Sequence, residues 1–338
     1  MTDTSTTQAS QMKADPPTPR RFRLSPDMIG LIALWLMMSL VPFVAPNYYI
    51  VSLVTMGLIN LMLIASLNLL MGYGGQISLS HAGFFGLGAY VSGVLNAKFG
   101  ISPWIGLPSA AIVAGLGAFA IGLPTLRLKG HYLSMATLGW NAILVVLFNQ
   151  LVDVTGGPNG LLGVEPFNLF GIELSSEVYA LPLVLVISFI VMVGILNLLR
   201  SRMGRALRAV ATNEIGADAI GIDSFRTKIA FFAVSAGIAG LAGSVYVHVN
   251  MYASPETFAV SQSILLIVMV AIGGAGAFWG PVLGAMVYTL LPQIFADLHD
   301  AELLAFGVGM LVVLIFFPRG LAGIPTAIRN LKTKGQAR

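Results

Sequence analysis

The chain has 338 residues, 57% of them hydrophobic and only 9% charged, with a mean hydropathy of +0.86 and a formal net charge of +4. Soluble chains carry about 25% charged residues, so this composition excludes an ordinary soluble domain and points to a polytopic membrane protein. Cysteine is absent, which removes disulfide frameworks, thiol nucleophiles and cysteine metal sites.

In chain order, residues 1–27 are polar, with Lys13, Arg20, Arg21 and Arg23 and the run DPPTPRR, and are expected to form a disordered cytoplasmic tail. No small-x-small cleavage pattern follows the apolar run 28–44, so this run is expected to be a first span and not a cleaved signal. About 20 apolar residues cross a bilayer. Ten segments qualify: 28–45, 50–70, 77–97, 104–123, 131–150, 178–199, 229–249, 261–275, 281–296 and 302–318. Segments 77–97, 261–275 and 281–296 are short or Gly-rich and are expected to be broken or re-entrant. The fold class is therefore an all-α polytopic membrane protein of about ten transmembrane helices. Its five-plus-five division suggests an inverted repeat, for which internal similarity is weak.

Basic residues concentrate on the cytoplasmic side of membrane proteins. With the N-terminus placed inside, every Lys and Arg except Lys98 falls on an inside segment. The outside segments hold Asp153, Glu165, Glu173, Glu177, Glu256, Asp297, Asp300 and Glu302. Both termini are thus expected in the cytoplasm, around a permease domain at 28–318 and a basic tail at 319–338.

The stretch SLNLLMGYGGQISLSHAGFFGLGAYVSG (66–93) interrupts this apolar background with Gly72, Gly74, Gly75, Gly83, Gly86 and Gly88, and with Asn68, Gln76, Ser78, Ser80 and His81. A lipid-facing helix does not tolerate this mixture, and Gly-broken segments mark substrate paths in transporters. Close helix packing accounts for the glycines but not for the polar cluster beside them. Asn68, Gln76, Ser78, Ser80 and His81 are therefore the expected pathway residues. Asn60 and Gln262 are further candidates for a lumen face, whereas Asn149 and Gln150 lie at an interface.

The longest inside loop, 201–227, contains RMGRALRAVATNEIGADAIGID. Thr212 or Asn213 suits a helix cap, Glu214 the first turn and Gly221 the end. This predicts a helix of about two turns at 214–220 that docks a cytoplasmic partner rather than merely setting topology. Two ladders of small residues, Gly276-x-x-x-Gly280-x-x-x-Gly284 and Ala233–Ser244, predict tight helix packing. Trp279 and Pro281 suggest a break beside the first.

No phosphate-binding G-x-x-x-x-G-K-[ST] is present, the four histidines are scattered, and no acid sits in mid-span. Enzyme activity, a metal and a cofactor are not expected, and nucleic acid is not a partner. The missing acid argues against a proton-coupled secondary transporter, the alternative class.

Taken together, LNLLMGYGGQISLSHAGFFGLGAY (67–90), LRLKGHYLSMATLG (126–139), TGGPNGLLGV (155–164), GRALRAVATNEIGADAIGID (204–223), KIAFFAVSAGIAGLAGSVY (228–246) and IGGAGAFWGPVLGA (272–285) resemble the permease subunits of branched-chain amino-acid ABC importers. This is the LivH/LivM family, and the chain is closer to the LivM type. The resemblance implies an inner-membrane importer with a periplasmic substrate-binding protein, a second homologous permease chain and two cytoplasmic ATP-binding subunits. It also implies that 204–223 couples to those subunits, with Arg205, Arg208, Glu214, Ala217 and Gly221 as the contact residues. Related permeases carry urea and short amides, an alternative substrate class.

Overall fold

The computed structural model describes residues 26–44, 47–169, 172–174, 177–295, 307–308, 311 and 320–323. Helices dominate: α1 Pro26–Ser39, α2 Val41–Val44, α3 Tyr48–Gly74, α4 His81–Phe99, α5 Pro103–Thr125, α6 His131–Gln150, α7 Val152–Thr155, α8 Glu177–Arg200, α9 Arg202–Thr212, α10 Glu214–Ala219, α11 Ser224–Asn250, α12 Val260–Gly273 and α13 Gly280–Phe295. A two-stranded hairpin, β1 Asn168–Leu169 and β2 Ile172–Glu173, lies between α7 and α8.

Among the described residues five helices are long and apolar enough to cross a membrane: Tyr48–Gly74, Pro103–Thr125, His131–Gln150, Tyr179–Arg200 and Ser224–Asn250. The first nine expected spans each overlap a helix; 302–318 and the two tails lie almost wholly outside the described residues.

One end of the bundle is basic. There Glu214 meets Lys129 and Lys228, and Arg200 NH2 pairs with Asp27 Oδ2 at 2.7 Å. The opposite end carries the acids. Asn96 Nδ2 donates to Glu165 Oε2 at 3.4 Å, Lys98 Nζ donates to the Asp153 carbonyl, and Leu161 and Ala253 form a backbone bridge.

The centre is a trio, α4, α5 and α11. Along α5 the buried face is Gly106, Ala110, Ala114, Ala118 and Gly122, one small residue every fourth position. It meets Gly240 of α11, where a Cβ would lie 2.4 Å from the Ala114 Cβ, and Gly237 packs beside it on Ala111 and Gly115. Small residues at this spacing let backbones approach closely, so the Ala233–Ser244 ladder packs within the chain. The other ladder is not one helix face. Gly276 lies in the turn between α12 and α13 with φ +76°, and Gly280 begins α13. The α12–α13 pair is a hairpin whose turn, 274–279, packs on the basic end of α3.

Candidate functional site

Helix α3 ends in a left-handed glycine, Gly75 (φ +65°), with Gly75 N–H and Gln76 N–H donating to the Met71 and Leu70 carbonyls. This pair of bonds is the Schellman stop. The chain then runs without helix over 75–80 before α4 begins at His81. The expected span 77–97 is therefore broken at its start. Exposed amides of such a segment need partners inside the protein, and hydroxyls from distant helices supply them. Thr137 Oγ1 of α6 accepts from Leu79 N–H at 3.0 Å, and Ser263 Oγ of α12 accepts from Ala82 N–H at 3.1 Å.

A buried polar chain crosses the same region. Ser235 Oγ of α11 donates to the Ser66 carbonyl at 2.6 Å, so its oxygen accepts from His81 Nε2–H at 2.7 Å. This assigns His81 Nδ1 as an acceptor, facing Ser78 Oγ at 3.3 Å, which in turn meets Ser80 Oγ at 3.0 Å. His81 and Ser80 are fully buried. Asn68 is also buried, with Nδ2 donating to the Ala277 carbonyl at 3.0 Å and Oδ1 accepting from Gly276 N–H at 2.9 Å. Gln76 differs: it is 95% buried, yet neither amide atom has a partner among the described residues.

None of these five lines the main cavity. That cavity has a volume of about 820 Å³, within the ~300–1,000 Å³ range of ligand sites. It lies between α3, α11, the 3-10 turn Pro255–Phe258, α12 and α13. Tyr49, Glu256, Ser261 and Gln293, its exposed described lining residues, place its mouth at the acidic end. Inside are the apolar Leu53, Met56, Ile59, Phe85 and Leu265, with Asn60, Gln262 and Tyr288 among them. Gln262 Nε2 reaches Tyr288 Oη at 3.5 Å. The side chains of Ser52, Asn60, Glu256 and Ser261 have no partner among the described residues. Sequence reasoning pointed to Asn60 and Gln262 but missed Ser52, Tyr288 and the cavity role of Glu256.

At the basic end, the predicted short helix is present. Asn213 Oδ1 caps it by accepting from Gly216 N–H at 2.9 Å, and Gly221 closes it at φ +84°. Glu214 faces back into the protein: Oε1 lies 2.8 Å from Lys228 Nζ and Oε2 lies 3.5 Å from Lys129 Nζ. The Lys228 hydrogen bond holds its carboxyl below the usual range, against the opposing effect of burial. Asp218 is lowered by its hydrogen bonds from Ser224. Ala217 is buried. Arg205 donates to the Arg200 carbonyl, and Arg208 donates to Leu199 and lies over the Tyr73 ring at 5.8 Å. Outward, beside the exposed Asp218, stand two apolar side chains: Ile215 on α10 and Ile220 just after it are 80% and 74% exposed. Helix α9, which sequence reading did not separate from the loop, seats α10 by burying Gly204, Leu207 and Val210.

A family model described as the permease component of branched-chain amino acid transport systems matches residues 49–317. The high-affinity branched-chain amino acid transport system permease protein LivM of Salmonella typhimurium is 32% identical, over 85% of this chain and 73% of that protein. LivM of Escherichia coli is 31% identical over 85% and 72%. A probable LivM of Methanocaldococcus jannaschii is 27% identical over 88% and 94%. No solved structure matches. With its helical membrane architecture and this match over most of its length, the chain belongs to the family of branched-chain amino acid transport permease components.

Proposed function

We propose that the chain is the membrane-spanning subunit of an ATP-driven importer for branched-chain or other small amino acids. It works with a periplasmic substrate-binding protein, a second homologous permease and two cytoplasmic ATP-binding subunits. The observation that carries this is α10, a capped helix clamped to the permease by Glu214 and tipped with two exposed isoleucines. A loop that only set topology would need charges, not a rigid apolar tip. In this reading Glu214, Ala217 and Gly221 shape and anchor the coupling helix, Arg205 and Arg208 brace the turn before it, and Ile215 and Ile220 touch the ATP-binding partner.

The same proposal sets ten crossings in the inner membrane between residues 28 and 318, with both tails (1–27 and 319–338) and the 201–227 loop in the cytoplasm. The distribution of basic residues supports it. The substrate descends the cavity from the acidic, periplasmic end. Beyond the cavity, toward the basic end, the 274–279 turn held by Asn68 is the inner gate. Gln76, with no partner among the described residues, gains one when the gate moves. Ser78, Ser80 and His81 hold the broken segment beside that path.

The test is to tag the C-terminus, solubilise native membranes gently and identify what co-purifies. Recovery of ATP-binding subunits and a second permease supports the reading. A chain that purifies alone and moves a solute on an ion gradient refutes it.

A further inference from the structure

The cavity lining is unusual in its charge. Among its described lining residues Glu256 is the one acidic side chain, and none is Lys, Arg or His. Glu256 is also not engaged by the protein, since its carboxylate has no ion pair or hydrogen bond among the described residues. The groups around it divide by chemistry. Asn60, Ser261, Gln262 and Tyr288 offer neutral donors, while Leu53, Met56 and Leu265 offer apolar surface. An anionic solute finds no cation among the described lining residues and is repelled by Glu256. A wholly apolar solute leaves the carboxylate and the amides desolvated without partners, which is costly. A solute with an ammonium, a carboxylate and a branched alkyl group meets a counterpart for each.

We infer that Glu256 is the ammonium anchor of an α-amino-acid site inside the permease, with the substrate carboxylate on Asn60, Gln262 and Tyr288. This rests on the cavity being the substrate's path, and it assigns the permease its own selection for zwitterions after the binding protein releases its load. The anchor sits on the 3-10 turn Pro255–Phe258, which Phe258 locks in place. Its ring is fully buried against Phe85, Tyr90 and Phe148. The carboxylate is thereby held at the mouth, where the ammonium arrives first.

The natural absence of cysteine makes the test direct. Ser52→Cys places a single thiol in the cavity wall, and Ser261→Cys serves as a second reporter. In the assembled importer, the thiol is labelled with a cationic and an anionic methanethiosulfonate, each rate divided by that of a free thiol. The cationic reagent is expected to react faster, and Glu256→Gln to reduce that preference by roughly five-fold at low salt, with Glu256→Asp retaining it. L-leucine is expected to slow labelling in the Glu256 protein and not in Glu256→Gln, while 4-methylpentanoate, which lacks the ammonium, slows neither. If labelling blocks transport but Glu256→Gln changes neither the preference nor the protection, the anchor is wrong and the path stands. If the thiol labels fully and transport continues unchanged, the path itself is wrong.

Discussion

Lys228 Nζ lies 2.8 Å from Glu214 Oε1 and ties the start of α10 to the first turns of α11. Lys228 is mostly buried, so this pair is less screened than a surface one. Glu214→Gln is expected to weaken the anchoring of α10 by about 1 kcal/mol, seen as roughly five-fold faster hydrogen exchange at Gly216 and Ala217. The sign of the pH effect follows from the direction of the shift. Because the folded carboxyl is lowered, the stabilisation is complete above the ordinary glutamate value of about 4.3 and is lost as pH falls through the lower folded one. Intrinsic-rate-corrected protection of α10 should therefore be flat from pH 8 to 6 and collapse only in acid.

Ile215 and Ile220 stand in water in the isolated chain. Replacing both with Ser should leave the thermal stability of the permease unchanged, because neither is buried here. Affinity for the ATP-binding partner should fall by about 1–2 kcal/mol per residue, the value of burying one such side chain. Titration of solubilised permease with purified ATP-binding subunit reads this, and unchanged affinity would show that the contact lies elsewhere on the loop.

Asn68 makes two bonds to the 274–279 turn, one as donor and one as acceptor. Asn68→Ala removes both and leaves the turn about 1–3 kcal/mol less secure. The expected outcome is a leak of amino acid in the absence of ATP, on the order of ten-fold above the parent in proteoliposomes. Asn68→Asp, which keeps the acceptor for Gly276 N–H, should leak less. A tight Asn68→Ala vesicle would remove the turn from the role of gate.

A Cβ on Gly88 would lie 2.1 Å from the Gly240 carbonyl oxygen. Gly88→Ala should therefore destabilise the protein by about 1–3 kcal/mol through overpacking. Gly139→Ala is the control, since nothing lies within 4 Å of a Cβ there and Ala is the better helix former. Thermal unfolding of the two variants in detergent should move in opposite directions.

Much of the framework was legible because its signals are local. Asn213, Glu214 and Gly221 announce a capped helix within nine residues, and glycines with Trp279 and Pro281 announce the break before α13. The cavity was not legible, because its walls come from α3, α11, α12 and α13, some 200 residues apart in the chain. The hydroxyls that stabilise the broken segment were hidden for a different reason. Most Ser and Thr in apolar helices bond the carbonyl one turn back, as Thr55 does to Val51 and Thr289 to Ala285. Ser235 reaches Ser66 and Ser263 reaches Ala82 instead, and no sequence pattern separates the two uses. The cluster of Ser78, Ser80 and His81 was conspicuous in the sequence, but its link through Ser235 to the Ser66 carbonyl was not.

The α4–α5–α11 trio has a mechanical corollary. Where backbones touch without side chains between them, there are no rotamers to repack and no slack to absorb a slide. A Cβ at Gly243 would lie 2.0 Å from the Phe85 carbonyl oxygen, a separation that leaves no room for shear. The three helices are thus a stiff keel. Motion during a transport cycle falls to what is joined to that keel by side chains and glycine-rich turns, foremost the α12–α13 hairpin with Gly274 and Gly276 at its bend.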